Sequence, residues 1–383
     1  MLHKYTSIEI IHNSFIVSKI GGLIMKRILL IASAFIGVIV GAGFASGQEV
    51  LQYFTSFGIM GTFGAIITTA LFAYVGMMLV WLGSKSKTDS HKEVIHNITG
   101  KSIFGKILGW IIDLVIIFTL FGVGVVMIAG AGSNLNQQFG LPSIVGTILM
   151  TILILLAGMM KVEGVVKVIG NITPFLIIFI IIISVYSFMT TDVPFSQLNT
   201  ISDAKPSTLP NWFIAGVNYA SFNTAVGASM AIVMGGSEKN TKVAALGGLF
   251  GGLALGVMIV LSHLAIFTQI DIVGEMEMPM LGIVNHISPI LGVVMAFVIF
   301  GMIFNTGLGM FYAFATRFTV VDTKRFKLFF TVTVIIGLCL SFVGFTDLVA
   351  IFYPLIGYLG LVLIFVLFYA PFKLKFGKKN SNE

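Results

Sequence analysis

The chain has 383 residues, of which 57% are hydrophobic and only 10% are charged, and its mean hydropathy is +1.05. Globular proteins average about 25% charged residues, so this composition excludes a soluble domain. The net charge of +7 does not indicate nucleic-acid binding, because the basic residues are confined to short segments between apolar runs. The single cysteine, Cys339, excludes an intrachain disulfide and a cysteine-based metal site.

The first 24 residues mix polar and apolar side chains and contain no run long enough for a transmembrane span. Met25, Lys26 and Arg27 follow and directly precede a long apolar run. We therefore interpret residues 1–24 as an N-terminal extension, either the result of an upstream start codon or a disordered segment. A cleaved signal peptide is disfavoured, because Lys26 and Arg27 would follow it directly.

Ten apolar segments are separated by polar residues, and a helix needs about 20 apolar residues to cross a bilayer. They are predicted at residues 28–56, 59–83, 107–131, 143–160, 170–190, 211–235, 242–267, 289–314, 328–345 and 347–370. The first is longer than one span requires, as expected of a broken helix. The pattern predicts an all-α integral membrane protein with ten transmembrane helices.

The basic residues provide an independent test of this count. If the N-terminus is cytoplasmic, the alternation of spans places every Lys and Arg except Lys205 on the inner side. A missed or an additional span would destroy this asymmetry, so both termini are predicted to be cytoplasmic. We divide the chain into a first repeat of five spans (25–190), a second repeat of five spans (191–372) and a basic cytoplasmic tail (373–383).

Two of the predicted loops contain enough sequence for helices of their own. The loop at 84–106 is polar and is predicted to include a cytoplasmic helix. The loop at 268–288 contains several apolar residues and is predicted to form a short external helix that caps the bundle.

The first span is interrupted at its centre by residues 41–47, which read Gly-Ala-Gly-Phe-Ala-Ser-Gly, and Gln48 and Glu49 follow. Three glycines and a serine make a poor helix, and a carboxylate at membrane depth is costly. A broken membrane helix must satisfy its free backbone groups with protein, water or cargo. The interruption therefore predicts a binding site.

Span six is polar in its middle, where Asn218, Ser221, Asn223 and Thr224 favour local side-chain bonds over a regular helix. Since each interrupted span opens a group of five, the two groups are predicted to form an inverted repeat with breaks in helices one and six. Paired interruptions of this kind indicate a transporter binding site. The alternative is that Gly-rich helices simply pack closely, as we expect of Gly247, Gly248, Gly251 and Gly252 in span seven.

Ten spans with this inverted arrangement resemble the leucine-transporter (LeuT) fold of the amino acid–polyamine–organocation superfamily. The segment at 34–49, Ala-Phe-Ile-Gly-Val-Ile-Val-Gly-Ala-Gly-Phe-Ala-Ser-Gly-Gln-Glu, is similar to the YkvI-like bacterial membrane proteins. The resemblance covers residues 25–372 and implies a multi-pass protein of the bacterial plasma membrane. It also implies secondary active transport of an amino acid or a related small solute, coupled to Na⁺ or H⁺ and without another cofactor.

In such a site, free backbone amides of span one bind an anionic group of the substrate, such as a carboxylate. The resemblance assigns this role to Gly41, Ala42, Gly43, Phe44 and Ala45. From span six it assigns Tyr219, Ser221, Phe222 and Asn223 to the substrate. For the two aromatic residues, packing within the bundle is the alternative.

Glu49 is the most unusual ionisable residue, because it follows the interruption inside an apolar span. A buried carboxyl group can take up a proton at physiological pH. Glu49 could thus couple protons, serve as counter-ion for a substrate amine, or form an outer-gate ion pair. A structural role, accepting backbone hydrogen bonds at a helix start, is the fourth alternative.

The resemblance also implies a sodium site between the interruption and span eight. Its candidate ligands are the carbonyl groups of Gly37 and Val40 and the side chains of Asn305 and Thr306. Asn305 could instead bond across helices. Proton-coupled relatives carry a lysine in span five, and residues 170–190 contain none, which favours Na⁺ while Glu49 keeps H⁺ open.

Two further polar residues of the spans are predicted to lie at interfaces. We expect Asp113 to pair with a loop lysine near the cytoplasmic boundary. We expect His263, late in span seven, to lie at the outer interface.

Other function classes are less well supported by the sequence. It contains no zinc-binding His pair, no nucleophile elbow and no phosphate loop, so an enzyme is not expected. A channel would more typically show rings of filter residues. A membrane ligand sensor on a transporter fold is the serious alternative. The expected partners are a small-molecule substrate and the lipid bilayer, and no nucleic acid.

Overall fold

The computed structural model describes residues 22–87, 91–100, 102–160, 173–191 and 193–379. Within these ranges the regular secondary structure is entirely helical. Most of the predicted N-terminal extension and the last four residues of the predicted tail lie outside the described residues. The all-α class predicted from composition is confirmed.

A helix lies at each of the ten predicted positions. Span one comprises Gly22–Ile39, Ala42–Ser46 and Gln48–Tyr53. Spans two to ten are Met60–Ser86, Ile103–Phe139, Ser143–Gly158, Thr173–Met189, Trp212–Gly236, Thr241–Thr268, Pro289–Thr316, Lys324–Ser341 and Phe345–Lys379. Shorter helical segments are Thr55–Phe57, His91–Thr99, Phe195–Asp203, Ile270–Val273 and Pro279–Ile287. Among the described residues, the first parts of spans one and ten and the whole of spans two, three, seven and eight are long and apolar enough to cross a membrane.

The two predicted loop helices are confirmed as His91–Thr99 and Pro279–Ile287. Span three extends to Phe139, beyond the predicted end at 131, because its polar last turns hold the loop between spans seven and eight. The Gln137 side chain accepts from Met278 N at 2.9 Å and donates to Met278 O at 2.9 Å. Asn285 donates to Gln138 at 2.9 Å, so Pro279–Ile287 is fixed to span three at both ends.

The prediction of a break in span six is wrong, since the helix runs uninterrupted from Trp212 to Gly236. Two of its polar side chains bond back to their own helix, Asn223 to Tyr219 O at 3.0 Å and Thr224 to Ala220 O at 2.6 Å. Such bonds to the preceding turn are compatible with helical backbone. Polarity in span six therefore serves hydrogen bonding without breaking the helix.

The other polar side chains of span six bond to span ten, which contains Pro354. Asn218 donates to Pro354 O at 3.0 Å, and Ser221 donates to Gly357 O at 2.6 Å. A proline inside a helix removes one backbone donor and frees the carbonyl four residues earlier. Here that carbonyl, of Ala350, accepts from Thr208 at 2.8 Å, so the freed group is satisfied outside the helix.

The glycines of span seven allow close helix packing, as the sequence predicted. A Cβ on Gly248 would collide with the carbonyl group of Gly76 in span two. A Cβ on Gly251 would lie 3.0 Å from Ala32 O in span one. Small residues let membrane helices approach at backbone distance. Span seven thereby packs closely on both spans one and two.

Candidate functional site

The backbone of span one is interrupted where the sequence predicted. Val40 still donates to Ile36 O at 2.8 Å, but the next helical bond runs from Ala45 N to Gly41 O at 3.0 Å. The amides of residues 41–44 and the carbonyl groups of residues 37–40 lie between these two bonds. Of the five residues predicted to offer a free amide, Ala45 does not, because its amide closes this first helical bond.

A second turn follows at Gly47, which adopts φ +85° between Ala42–Ser46 and Gln48–Tyr53. The Ser46 hydroxyl donates to Gly43 O at 2.9 Å and accepts from Gln48 N at 3.2 Å, so it bridges the two short helices. This role of Ser46 was not predicted from the sequence. A Cβ on Gly47 would lie 2.7 Å from the Met280 side chain, which places the helix Pro279–Ile287 directly over this turn.

Glu49 folds back across the interruption. A Cβ on Gly43 would collide with Oε1 of Glu49 and would lie 2.7 Å from its Cδ. The other carboxyl oxygen accepts from Tyr219 OH of span six at 2.8 Å. Only 4% of Glu49 is exposed, and no described Lys, Arg or His lies within ion-pair distance. The carboxyl group thus lies beside the free amides, linked to span six.

Aromatic rings surround Tyr219, the hydrogen-bond donor to Glu49. The Tyr219 ring lies 4.9 Å from Tyr53 and 5.1 Å from Phe54, between ring centroids. Phe222 stacks on Tyr353 of span ten at 4.2 Å. All five rings are buried, so solvent is excluded from this region.

The predicted residues of span six do not all converge on Glu49. Only Tyr219 is placed against Glu49 by a hydrogen bond. Ser221 is bonded to span ten, and Asn223 to its own helix. Phe222 contacts both Tyr219 and span ten, which is the packing arrangement considered as the alternative.

Span eight reaches the interruption from the other side. A Cβ on Gly41 would lie 3.7 and 3.8 Å from the methyl and hydroxyl groups of Thr306. The neighbouring Asn305 has a buried side-chain oxygen with no hydrogen-bond partner among the described residues. Hydroxyl, amide and backbone carbonyl oxygens are the ligands of a hard cation. Of the four predicted ion ligands, the structure thus places Thr306 against the interruption.

The two interfacial predictions have different outcomes. Asp113 pairs with Arg317 at 3.4 Å, a loop arginine where a lysine was expected. His263 is completely buried, so the prediction that it lies at an interface is wrong. Its two ring nitrogens contact the hydroxyl groups of Thr55 at 3.2 Å and Thr62 at 3.0 Å. These contacts hold the Thr55–Phe57 turn and the start of span two against span seven.

Comparison with solved structures places this architecture among known folds. MhsT in complex with L-phenylalanine superposes with a TM-score of 0.57, covering 90% of this chain and 96% of MhsT, at 13% identity. A manganese transporter of Eremococcus coleocola gives a TM-score of 0.50, covering 82% of this chain and 70% of that one, also at 13% identity. The fold is the LeuT-type transporter fold. At these sequence identities, the similarity establishes the fold but does not indicate the substrate.

Sequence comparison agrees with the predicted resemblance. No protein-family model matches the chain. YkvI, a membrane protein of Bacillus subtilis (strain 168), is 28% identical over 334 residues, which cover 87% of this chain and 93% of YkvI. YyaD of the same strain is 25% identical over 348 residues, covering 91% of this chain and 96% of YyaD. The resemblance to YkvI-like membrane proteins is confirmed, and the chain is a membrane protein on a transporter fold.

Proposed function

We propose that this protein is a secondary active transporter that takes up an amino acid or a related small solute by alternating access. The observation that carries the proposal is the interruption of span one, where the amides of residues 41–44 lie beside the buried carboxyl group of Glu49. The LeuT-type fold supports the same conclusion. An interrupted helix at membrane depth needs a partner for its free backbone groups, and a transported solute supplies one.

The free amides of span one and the Glu49 carboxyl group are complementary to the two charged ends of an amino acid. Free amides at the start of a helix favour a carboxylate, and Gly41 leaves the backbone there without a Cβ. At Gly43 the corresponding space holds the Glu49 carboxyl group. Glu49 supplies the complementary negative charge for an ammonium group. No described cation pairs with Glu49, and its hydrogen bond runs to Tyr219, so the outer-gate ion pair and the backbone-capping role have less support.

We propose Na⁺ as the coupling ion, bound between the carbonyl groups of Gly37 and Val40 and the side chains of Asn305 and Thr306. Support comes from the contact distance between Gly41 and Thr306 and from the unpartnered Asn305 oxygen. Proton coupling through Glu49 remains the second candidate, because this carboxyl is buried and has no ionic partner in the described part of the chain.

A screen of purified protein for thermal stabilisation by amino acids, in NaCl and in KCl, tests the binding site. A ligand that binds the folded state raises the unfolding temperature by mass action. We expect stabilisation by at least one amino acid, and a larger effect in NaCl.

Flux measurements separate transport from the alternative, a ligand sensor built on the same fold. Proteoliposomes with an imposed ion gradient are expected to accumulate the stabilising solute. Binding without flux under any imposed gradient would support the sensor and refute the transporter.

A further inference from the structure

A groove of about 580 Å³ lies between the first turns of span three, the helix His91–Thr99 and the end of span ten. It is separate from the interruption of span one and shares no residue with the site described above. Its walls are mostly apolar and include Phe104, Leu108, Val362, Phe365 and Val366. Phe104 is 75% exposed and Phe365 is 69% exposed, so the groove opens towards the lipid phase.

One end of the groove is polar and carries a positive charge. Thr99, Ser102 and Lys373 line this end, and no acidic residue is among the described residues that line the groove. Among the described residues, Lys373 donates one hydrogen bond, to Ile98 O at 2.7 Å. An ammonium group has three donors, so two remain for a ligand.

The length of the groove matches the thickness of the hydrocarbon region of one leaflet. Along span ten the groove extends from Val362 to Lys373, which at about 1.5 Å per residue is about 16 Å. The hydrocarbon core of a bilayer is about 30 Å thick, so the groove covers about half of it. An apolar trough of this length with a cation at its end has the shape and the charge of a phospholipid with an anionic head group.

We propose that this groove binds one anionic phospholipid, with its phosphate at Lys373 and one acyl chain along Leu108 and Val362. A basic pocket between transmembrane helices recognises an anionic head group through charge. The lipid would link span three to span ten and to the helix His91–Thr99.

Native mass spectrometry of the detergent-solubilised protein tests this, with dioleoyl phosphatidylglycerol and dioleoyl phosphatidylcholine as probes. For the first bound lipid we expect phosphatidylglycerol to bind about fivefold more tightly, the effect of one basic residue near a membrane surface. Lys373→Gln should remove this preference and Lys373→Arg should keep it. The matched control is Lys327→Gln, an exposed lysine at the start of span nine and outside the groove, which should change nothing.

The proposal is overturned if the unaltered protein shows no preference, or if Lys327→Gln removes it as fully as Lys373→Gln. Since Lys373 also holds Ile98, a glutamine there could unfold the neighbouring helix. Leu108→Trp provides a second variant that keeps the charge and narrows the groove. It should lower occupancy by the first lipid of either class, and unchanged occupancy in a folded Leu108→Trp protein would also overturn the proposal.

Discussion

Gly43 is the position at which one added methyl group should have the largest effect on the site. In Gly43→Ala, the new Cβ would occupy the space of the Glu49 carboxyl group, with Cδ at 2.7 Å and Cγ at 2.8 Å. Real Cβ atoms do not approach this closely, so Glu49 must move, and we expect its 2.8 Å hydrogen bond from Tyr219 to be lost. A hydrogen bond to a charged group contributes about 1.5–3 kcal/mol, and one to a neutral group about 1 kcal/mol.

These energies correspond to a loss of about fivefold to 150-fold in the affinity of a ligand that depends on this arrangement. The assay is the affinity of the solute identified by thermal stabilisation, together with the unfolding temperature of the protein without ligand. Gly309→Ala in span eight is the matched control, because a Cβ there meets no atom within 4 Å. In the Glu49→Ala background, Gly43→Ala should have little further effect, since the collision partner is gone. Equal behaviour of Gly43→Ala and Gly309→Ala would refute the reasoning.

Three further substitutions test other parts of the account. Glu49→Gln should leave the protein folded and flatten the pH dependence of transport if this carboxyl carries the coupled proton; an identical pH–rate profile would exclude proton coupling through Glu49. Thr306→Val should reduce the difference between stabilisation in NaCl and in KCl, whereas Thr316→Val, at the exposed end of the same helix, should preserve it; equal effects of the two would argue against the ion site. Ser221→Ala should lower stability by about 1 kcal/mol in thermal unfolding, because it leaves the Gly357 carbonyl without its 2.6 Å bond, and an unchanged unfolding temperature would show that this link between spans six and ten contributes nothing.

Features that depend on composition and on local backbone chemistry could be predicted from the sequence. The lengths of the apolar runs predicted the positions of all ten helices, and the clustered glycines predicted the interruption of span one. Gly43 and Glu49 were both recognised as candidates, but their contact depends on a second turn at Gly47 that returns the side chain over the break. Spacing along the sequence does not contain that geometry.

Two of the predictions were wrong partly because a polar side chain in a membrane can find its hydrogen-bond partner on another helix. Asn218 and Ser221 suggested a broken helix, because the sequence does not reveal that their hydrogen-bond acceptors are carbonyl groups of span ten, near Pro354. His263 suggested an interface because the hydroxyl groups of Thr55 and Thr62 come from a distant part of the chain. Both cases are tertiary hydrogen bonds, which local propensity does not report.

Uptake by proteoliposomes under an inward Na⁺ gradient tests the central claim most directly, with the stabilising amino acid as radiolabelled solute. We expect the unaltered protein to accumulate the labelled solute. This accumulation should stop when Na⁺ is replaced by K⁺. Gly43→Leu, which fills the space beside the free amides, should insert into the membrane but neither bind nor accumulate the solute. Accumulation by Gly43→Leu at the rate of the unaltered protein would contradict the claim that the interruption of span one is the transport site.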